Sequence, residues 1–185
     1  MIYPIVAYGD PVLRKRAISI SKDYRGLDDI ISNMFDTMYH ALGVGLAAPQ
    51  IGLSIRLFVV DASPFKDDDG NAGGFKKVFI NAEILKEEDA KWKFNEGCLS
   101  IPGIREDVER KGKITMRYLD EYFIEHLEVF DGMPARIIQH EYDHIDGVLF
   151  TDRLTPLKKR MLKGRLTDIS KGYVDVSYKM RFSKK

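Results

Sequence analysis

The stretch MPARIIQHEYDHI, residues 133–145, constrains this chain more than any other. Pro134 fits only in the first turn of a helix, where its missing N–H costs nothing, and Asp131 just ahead is a suitable N-cap. Within the predicted helix His140 and His144 are four residues apart. At about 3.6 residues per turn they stand one above the other on a single face, so two imidazoles can chelate one metal ion. Glu141 is rotated about 100° from His140, beside the first ligand rather than beneath it. From there a carboxylate reaches a water held by the metal without ligating the metal itself. Such a group acts as a general base and then returns the proton to the leaving group.

A His-Glu-x-x-His match arises by chance on the order of once in a few hundred chains of this size, so the third ligand decides. In HEYDHIDGVLF the glycine of the metzincin proteases is present as Gly147, but Phe150 stands where their third histidine would be. Thermolysin-like proteases use a downstream glutamate, and after His144 there is no Glu, His or Cys. Asp146, Asp152, Asp168 and Asp175 remain downstream, none at a known motif distance. The third ligand is therefore expected upstream, from Cys98, His40, His126 or a carboxylate. A lone cysteine is ordinarily a small buried hydrophobe. Cys98, however, lies in the turn-like stretch NEGCLSIPG, and the missing ligand makes it the leading candidate. Two histidines and a cysteine leave one position open for water, as a catalytic centre needs, whereas a structural zinc site would want a fourth protein ligand.

The rest of the chain predicts the frame for that helix. LDDIISNMFDTMYHALG has apolar residues at helical spacing and stops at Gly43. GVGLAAPQIG is too rich in small residues to predict a regular element. Strands are expected at 55–62, 76–85, 111–120 and 122–130, with a polar, Gly-rich loop over 63–74. A last helix is expected over 157–170, with Gly164 as a weak point, and YVDVSYKM, 173–180, alternates like a strand. The fold expected is α+β: antiparallel or mixed β-sheets around a central helix that carries the histidines.

At 185 residues, 44% of them hydrophobic, one domain is the default. The net charge of +1 excludes a uniformly polybasic or acidic binder, and no DNA partner is expected. Residues 153–185, however, hold eleven Lys/Arg against Asp168 and Asp175, a net of +9 that leaves the remainder at −8. That basic C-terminal segment suggests an anionic partner. A single cysteine excludes an intrachain disulfide. The N-terminus does not read as a signal peptide, and no apolar run approaches the roughly 20 residues of a membrane span. No membrane partner is expected, and a cytoplasmic location is.

Three segments together resemble the peptide deformylase family: GVGLAAPQ at 43–50, EGCLS at 96–100 and QHEYDH at 139–144, in the family's order, with GDPVLR at 9–14 similar to its start. The resemblance runs to about residue 155. It implies removal of the N-formyl group from the initiating methionine of new polypeptides, releasing formate. It implies one divalent metal, ferrous iron with zinc, nickel or cobalt as substitutes, held by Cys98, His140 and His144. A site of two imidazoles and a thiolate suits iron or zinc. Glu141 would be base and acid, and the Gln50 amide and Leu99 N–H would hold the oxyanion. An extended formyl-Met peptide would lie against Gly45 and Gly97, with Val44, Met133 and Ile137 lining the methionine pocket. For these five, turn geometry or core packing is an equally good account. Asp143 and Asp146 are candidates to orient the histidines, and Glu96 to pair with an arginine. Lys158, Lys159, Arg160, Lys163 and Arg165 would touch the ribosome, although a solvated charged face explains each of them singly.

Two other readings compete. A general metallopeptidase leaves EGCLS and GVGLAAPQ without a purpose. A non-catalytic, metal-stabilised module that binds nascent chains or ribosomes leaves Glu141 and Gln50 without one.

Overall fold

The computed structural model describes residues 1–65 and 75–183. Its elements in chain order are β1 (Ile5–Val6), α1 (Leu27–His40), β2 (Gly45–Ala47), β3 (Leu57–Asp61), β4 (Lys76–Cys98), β5 (Ile101–Leu119), β6 (Glu125–Asp131), α2 (Gly132–Ile145), α3 (Pro156–Ser170) and β7 (Met180–Arg181). β2 to β6 form one antiparallel sheet in that order, and β1 pairs with β7 in parallel. The architecture is α+β, with α2 packed at its centre. The loop expected over 63–74 lies, from residue 66 on, outside the described residues.

Alternation on β3 divides the core. Phe58 and Val60 turn toward α2, where they meet Phe79, Met116, Phe130, Ala135 and Ile138. Leu57 and Val59 turn the other way, onto Ile31, Met34, Phe35 and Met38 of α1. With both faces covered, β3 is buried from Leu57 to Val60, which is why IRLFVV reads as an apolar run rather than a half-buried strand. A third cluster joins Ile101, Ile104 and Val108 of β5 to Leu162, Leu166 and Ile169 of α3.

Three expectations need correction. β4 and β5 run far beyond the predicted 76–85 and 111–120, forming one long hairpin whose turn is Leu99–Ser100. Beyond Ile84 the β4 side chains are mostly exposed or half-buried, and bulges, one of them at Asp89 with φ of 63°, shift the register. Backbone pairing holds where no apolar alternation marks it. GVGLAAPQIG is also more regular than expected: Gly45–Ala47 pairs with β3, and Ala48–Ile51 makes a 3-10 turn. The alternation in 173–180 appears as half-buried Val174, Val176, Tyr178 and Met180. Among the described residues only Met180–Arg181 of this stretch forms a ladder, with Ile5–Val6.

Candidate active site

The β4–β5 hairpin and α2 build the site together. Cys98 ends β4 and pairs with Ile101, so Leu99 and Ser100 cap the hairpin at its tip. The tip is tied down on two sides. The Tyr8 backbone N–H donates to the Ser100 carbonyl at 2.9 Å, and Gln50 Nε2 donates to Ser100 Oγ at 3.3 Å. Gln50 is itself oriented: its Oε1 accepts from the Ala47 N–H at 2.9 Å, which turns the amide nitrogen toward Cys98 Sγ, 3.5 Å away.

α2 supplies the opposite wall. Pro134 sits in its first turn, and Asp131 precedes it in extended backbone without a side-chain capping bond. The helix is buried on most of its circumference, polar residues included. That is tolerable because those residues are partnered. Gln139 donates to the carbonyls of Lys111 and Ala135, each at 3.0 Å, and Arg136 donates to Val108 O at 3.0 Å and Trp92 O at 2.5 Å.

Cys98, His140 and His144 meet, with one ligand atom of each within 4.8 Å of the others. Cys98 Sγ is 3.3 Å from His144 Nε2. His140 Nδ1 lies 3.0 Å from Glu96 Oε2. An ionised carboxylate only accepts, so Nδ1 carries a proton and Nε2 is the His140 nitrogen left to face the site. Two imidazole nitrogens and a sulfur converging without intervening protein suit a divalent ion of intermediate softness, so the donor set fits the metal that the sequence motifs imply. His40, at the end of α1, and His126, held by Asp120 at 2.7 Å, are not among the converging donors.

Glu141 stands beside this cluster. It is buried, and its Oε2 has no hydrogen-bond partner among the described residues. Burial pushes its pKa up to about 7, against the lowering influence of His140 and Arg110. Gly45 makes room for it: a Cβ there would collide with the carboxylate, with Cγ and Cδ both at 2.8 Å.

Behind the donors lies a buried ionic network. Arg110 binds Glu96 at 2.7 and 3.0 Å and Asp143 at 2.7 Å; Arg136 binds Glu96 at 2.8 Å; Arg153 binds Asp143 at 2.6 and 2.5 Å. Burial opposes charge on Glu96, but its hydrogen bonds from His140 and Arg110 outweigh that and hold it well below the usual carboxylate range. Asp143 and Asp146 do not orient the histidines. Asp143 is taken by Arg110 and Arg153, and Asp146 by Arg56 at 2.7 Å. Glu96 takes that part for His140, and His144 Nδ1 is buried without a partner among the described residues. Arg110 and Arg136 were not legible as the partners of Glu96. They sit in DVERKG and PARI, where they look like ordinary surface charge.

A cleft of about 670 Å³ opens over the cluster. It is lined by Val44, Gly45, Gln50, Gly97, Cys98, Leu99, Met133, Ile137, His140 and Glu141, and also by residues 176–178 near the C-terminus, which sequence reasoning missed. His144 lies behind the lining, and the other predicted site residues all reach it. Apolar walls with a few converging polar groups suit a peptide end.

The family model for polypeptide deformylase matches residues 2–160. The peptide deformylase of Flavobacterium johnsoniae is 55% identical over 190 residues, covering 99% of this chain and 97% of that protein. That of Cytophaga hutchinsonii is 56% identical over 182 residues, covering 98% of each. Among solved structures, a peptide deformylase from Legionella pneumophila superposes with a TM-score of 0.79 at 39% identity, covering 94% of this chain and 98% of that one. One from Thermotoga maritima gives 0.75 at 41% identity, covering 84% and 99%.

Proposed function

The chain belongs to the polypeptide deformylase family, a metal-dependent hydrolase of N-formyl-methionyl peptides, and we propose how its own residues divide the work. Cys98, His140 and His144 hold the metal, and Glu141 moves the proton. Gln50 and Leu99 bind the oxyanion, and Val44, Gly45, Gly97, Met133 and Ile137 bind the substrate. The observation that carries this reading is Glu141: a buried carboxylate with an unpartnered oxygen, beside three converging donors, at the floor of the cleft.

A divalent ion bound by the three donors supplies Lewis acidity, which polarises a carbonyl oxygen and makes water a nucleophile at neutral pH. Glu141 accepts the proton that the attacking water loses as its oxygen bonds to the formyl carbon. A carboxylate whose pKa is pushed up to about 7 is matched to that task. The Gln50 amide and the Leu99 N–H donate to the oxygen that becomes negative. Gln50 does so without a charge that would need desolvation, and its Oε1 bond to Ala47 keeps the nitrogen aimed. Glu141 then passes its proton to the amine as the C–N bond breaks, leaving formate and a free amino terminus. Ferrous iron is the metal we assign, with zinc, nickel or cobalt as substitutes.

Residues 1–185 act as one catalytic unit with a basic segment at 153–185, a reading supported by the packing of α3 on β5 and of β7 on β1. A cytoplasmic location fits this role, and among the described residues no helix is long and apolar enough to cross a membrane. Contact with the ribosome would run through α3. There Lys158 is bound to Glu106 at 2.6 Å and Arg165 to the Gly103 carbonyl, while Lys159, Arg160 and Lys163 are exposed and better placed to meet phosphate. Salt-dependent co-sedimentation with ribosomes tests this, since phosphate contacts weaken steeply with salt.

Formate release from a formyl-Met peptide, by protein prepared without oxygen and loaded with Fe2+, tests the reaction. The parent is expected to release formate, and Glu141→Ala to lose about 10²–10⁴ in rate with its metal still bound. Correctly folded, metal-loaded parent that releases none would overturn the reading.

A further inference from the structure

The family match ends at residue 160, yet the chain returns to the cleft after it. The parallel pairing of β1 with β7 brings it there. Ile5 N–H donates to the Lys179 carbonyl and Ala7 N–H to the Arg181 carbonyl, each at 2.9 Å. One residue further on, Tyr8 N–H holds the Ser100 carbonyl at 2.9 Å. A single extended stretch of the N-terminus therefore fixes both the tail and the hairpin tip. Between these anchors lies Tyr178, half-buried, with its hydroxyl donating to the Leu99 carbonyl at 2.7 Å.

We propose that Tyr178 is a positioning residue for deformylation: its hydroxyl fixes the Leu99 carbonyl and thereby the orientation of the Leu99 N–H that receives the oxyanion. The inference rests on the oxyanion role assigned to Leu99 above. Leu99 lies in the two-residue turn between β4 and β5, outside both strands, so the sheet ladder does not restrain it. Its N–H makes no hydrogen bond among the described residues, which leaves the donor available to a ligand. Among the described residues its carbonyl has one tie, from Tyr178. The ties from Gln50 and Tyr8 reach Cys98 and Ser100 on either side. Without the tyrosine hydroxyl the peptide plane after Leu99 is free to rotate. Because Cys98 and Ser100 are held on either side, a change at the Leu99 ψ angle is compensated at its φ angle, which tilts the preceding plane that carries the Leu99 N–H. A donor that is preorganised acts fully in the transition state; one that must be oriented during the reaction does not. The phenyl ring lines the cleft with or without its hydroxyl, so the two contributions of this side chain are separable.

Tyr178→Phe removes only the hydroxyl. Formate release from a formyl-Met tripeptide, metal content and thermal midpoint would be measured on the full-length Fe2+-loaded protein, beside the parent and Gln50→Ala. The expected result is a kcat about tenfold lower, a KM within about twofold, and unchanged metal and midpoint, the pattern of an interaction made in the transition state. A parental kcat in Tyr178→Phe, with Gln50→Ala slow, would overturn the tyrosine's role and leave the reaction standing. So would a fall in kcat matched by lost metal or a lowered midpoint, which would reduce Tyr178 to packing. A parent that releases no formate would instead overturn the function on which the inference rests.

Discussion

The two walls of the site are held in opposite ways. The α2 wall is fixed by charge: Glu96, Arg110, Asp143, Arg136 and Arg153 form one buried ionic network behind His140. The hairpin tip is fixed by neutral hydrogen bonds, from Gln50, Tyr8 and Tyr178. A buried ion left without its partner costs about 3–5 kcal/mol, whereas a lost neutral bond costs about 0.5–1.5 kcal/mol, or about 1–3 where it strands a buried group. Damage to the first wall should therefore appear as lost stability, and damage to the second as lost rate in a protein that still folds.

The largest effect expected is that of Arg110→Ala. The Arg110 side chain is fully buried, and its loss removes the link between Glu96, left with Arg136 and His140, and Asp143, left with Arg153, both acids being nearly as buried. A destabilisation of about 3 kcal/mol is expected, the low end for a broken buried pair because each acid keeps another partner, to be read from urea unfolding. A variant within about 1 kcal/mol of the parent would show that the network is not what holds this wall.

Gly45→Ala reaches the α2 wall from β2, at the cleft-facing Glu141 rather than at the ionic network behind His140. The new Cβ forces the Glu141 side chain to move, yet no positive backbone angle makes alanine itself costly at this position. Displacing a reacting group by about 1 Å costs about 10²-fold in rate. The expected result is kcat lower by that order with a nearly unchanged thermal midpoint. If the midpoint falls sharply while the kcat of the folded fraction is kept, the cleft side of α2 is not separable from the network that holds the helix.

Acid separates the walls without mutation. The folded-state pKa of Glu96 lies below its ordinary value of 4.5, so its contribution is fully present above about that pH and is lost as pH falls toward the depressed folded value. The urea midpoint should hold between about pH 7 and 5 and decline below about 4.5. Glu96→Gln should show a shallower decline than the parent, although it starts from lower stability.

The same contrast explains how much was legible in the sequence. His140, Glu141 and His144 follow from helical spacing alone, and α2 forms where Pro134 and the apolar pattern place it. β3 was visible because its burial is continuous. The hairpin that brings Cys98 to the histidines was not: residues 86–96 are mostly charged and exposed, and the bulge at Asp89 breaks the alternation by which a strand is read. Cys98 was reached instead by elimination and by the family's EGCLS pattern. The network was half legible. Glu96 was expected to pair with an arginine, but Arg110 lies 14 positions away across a strand pairing that no local pattern marks. Asp143 and Asp146 looked like partners of the histidines because they are near in sequence. In the fold both face arginines, because the helix turns them away from the cleft.

The smallest effect is expected where the neutral wall is thinnest. Ser100 is fully buried at the hairpin turn, and its hydroxyl accepts from Gln50 at 3.3 Å, a long bond. Ser100→Ala leaves the Tyr8 bond to the Ser100 carbonyl intact, because that bond uses only backbone. Gln50 also keeps the Ala47 bond that aims its amide. The cost should be about 0.5–1.5 kcal/mol in unfolding and no more than a few-fold in kcat. The comparison with Tyr178→Phe is then informative, since each variant deletes one neutral hydroxyl at the same turn. If Ser100→Ala slows the reaction as much as Tyr178→Phe does, the turn responds to any loosening. If it does not, what matters is the restraint on Leu99 itself.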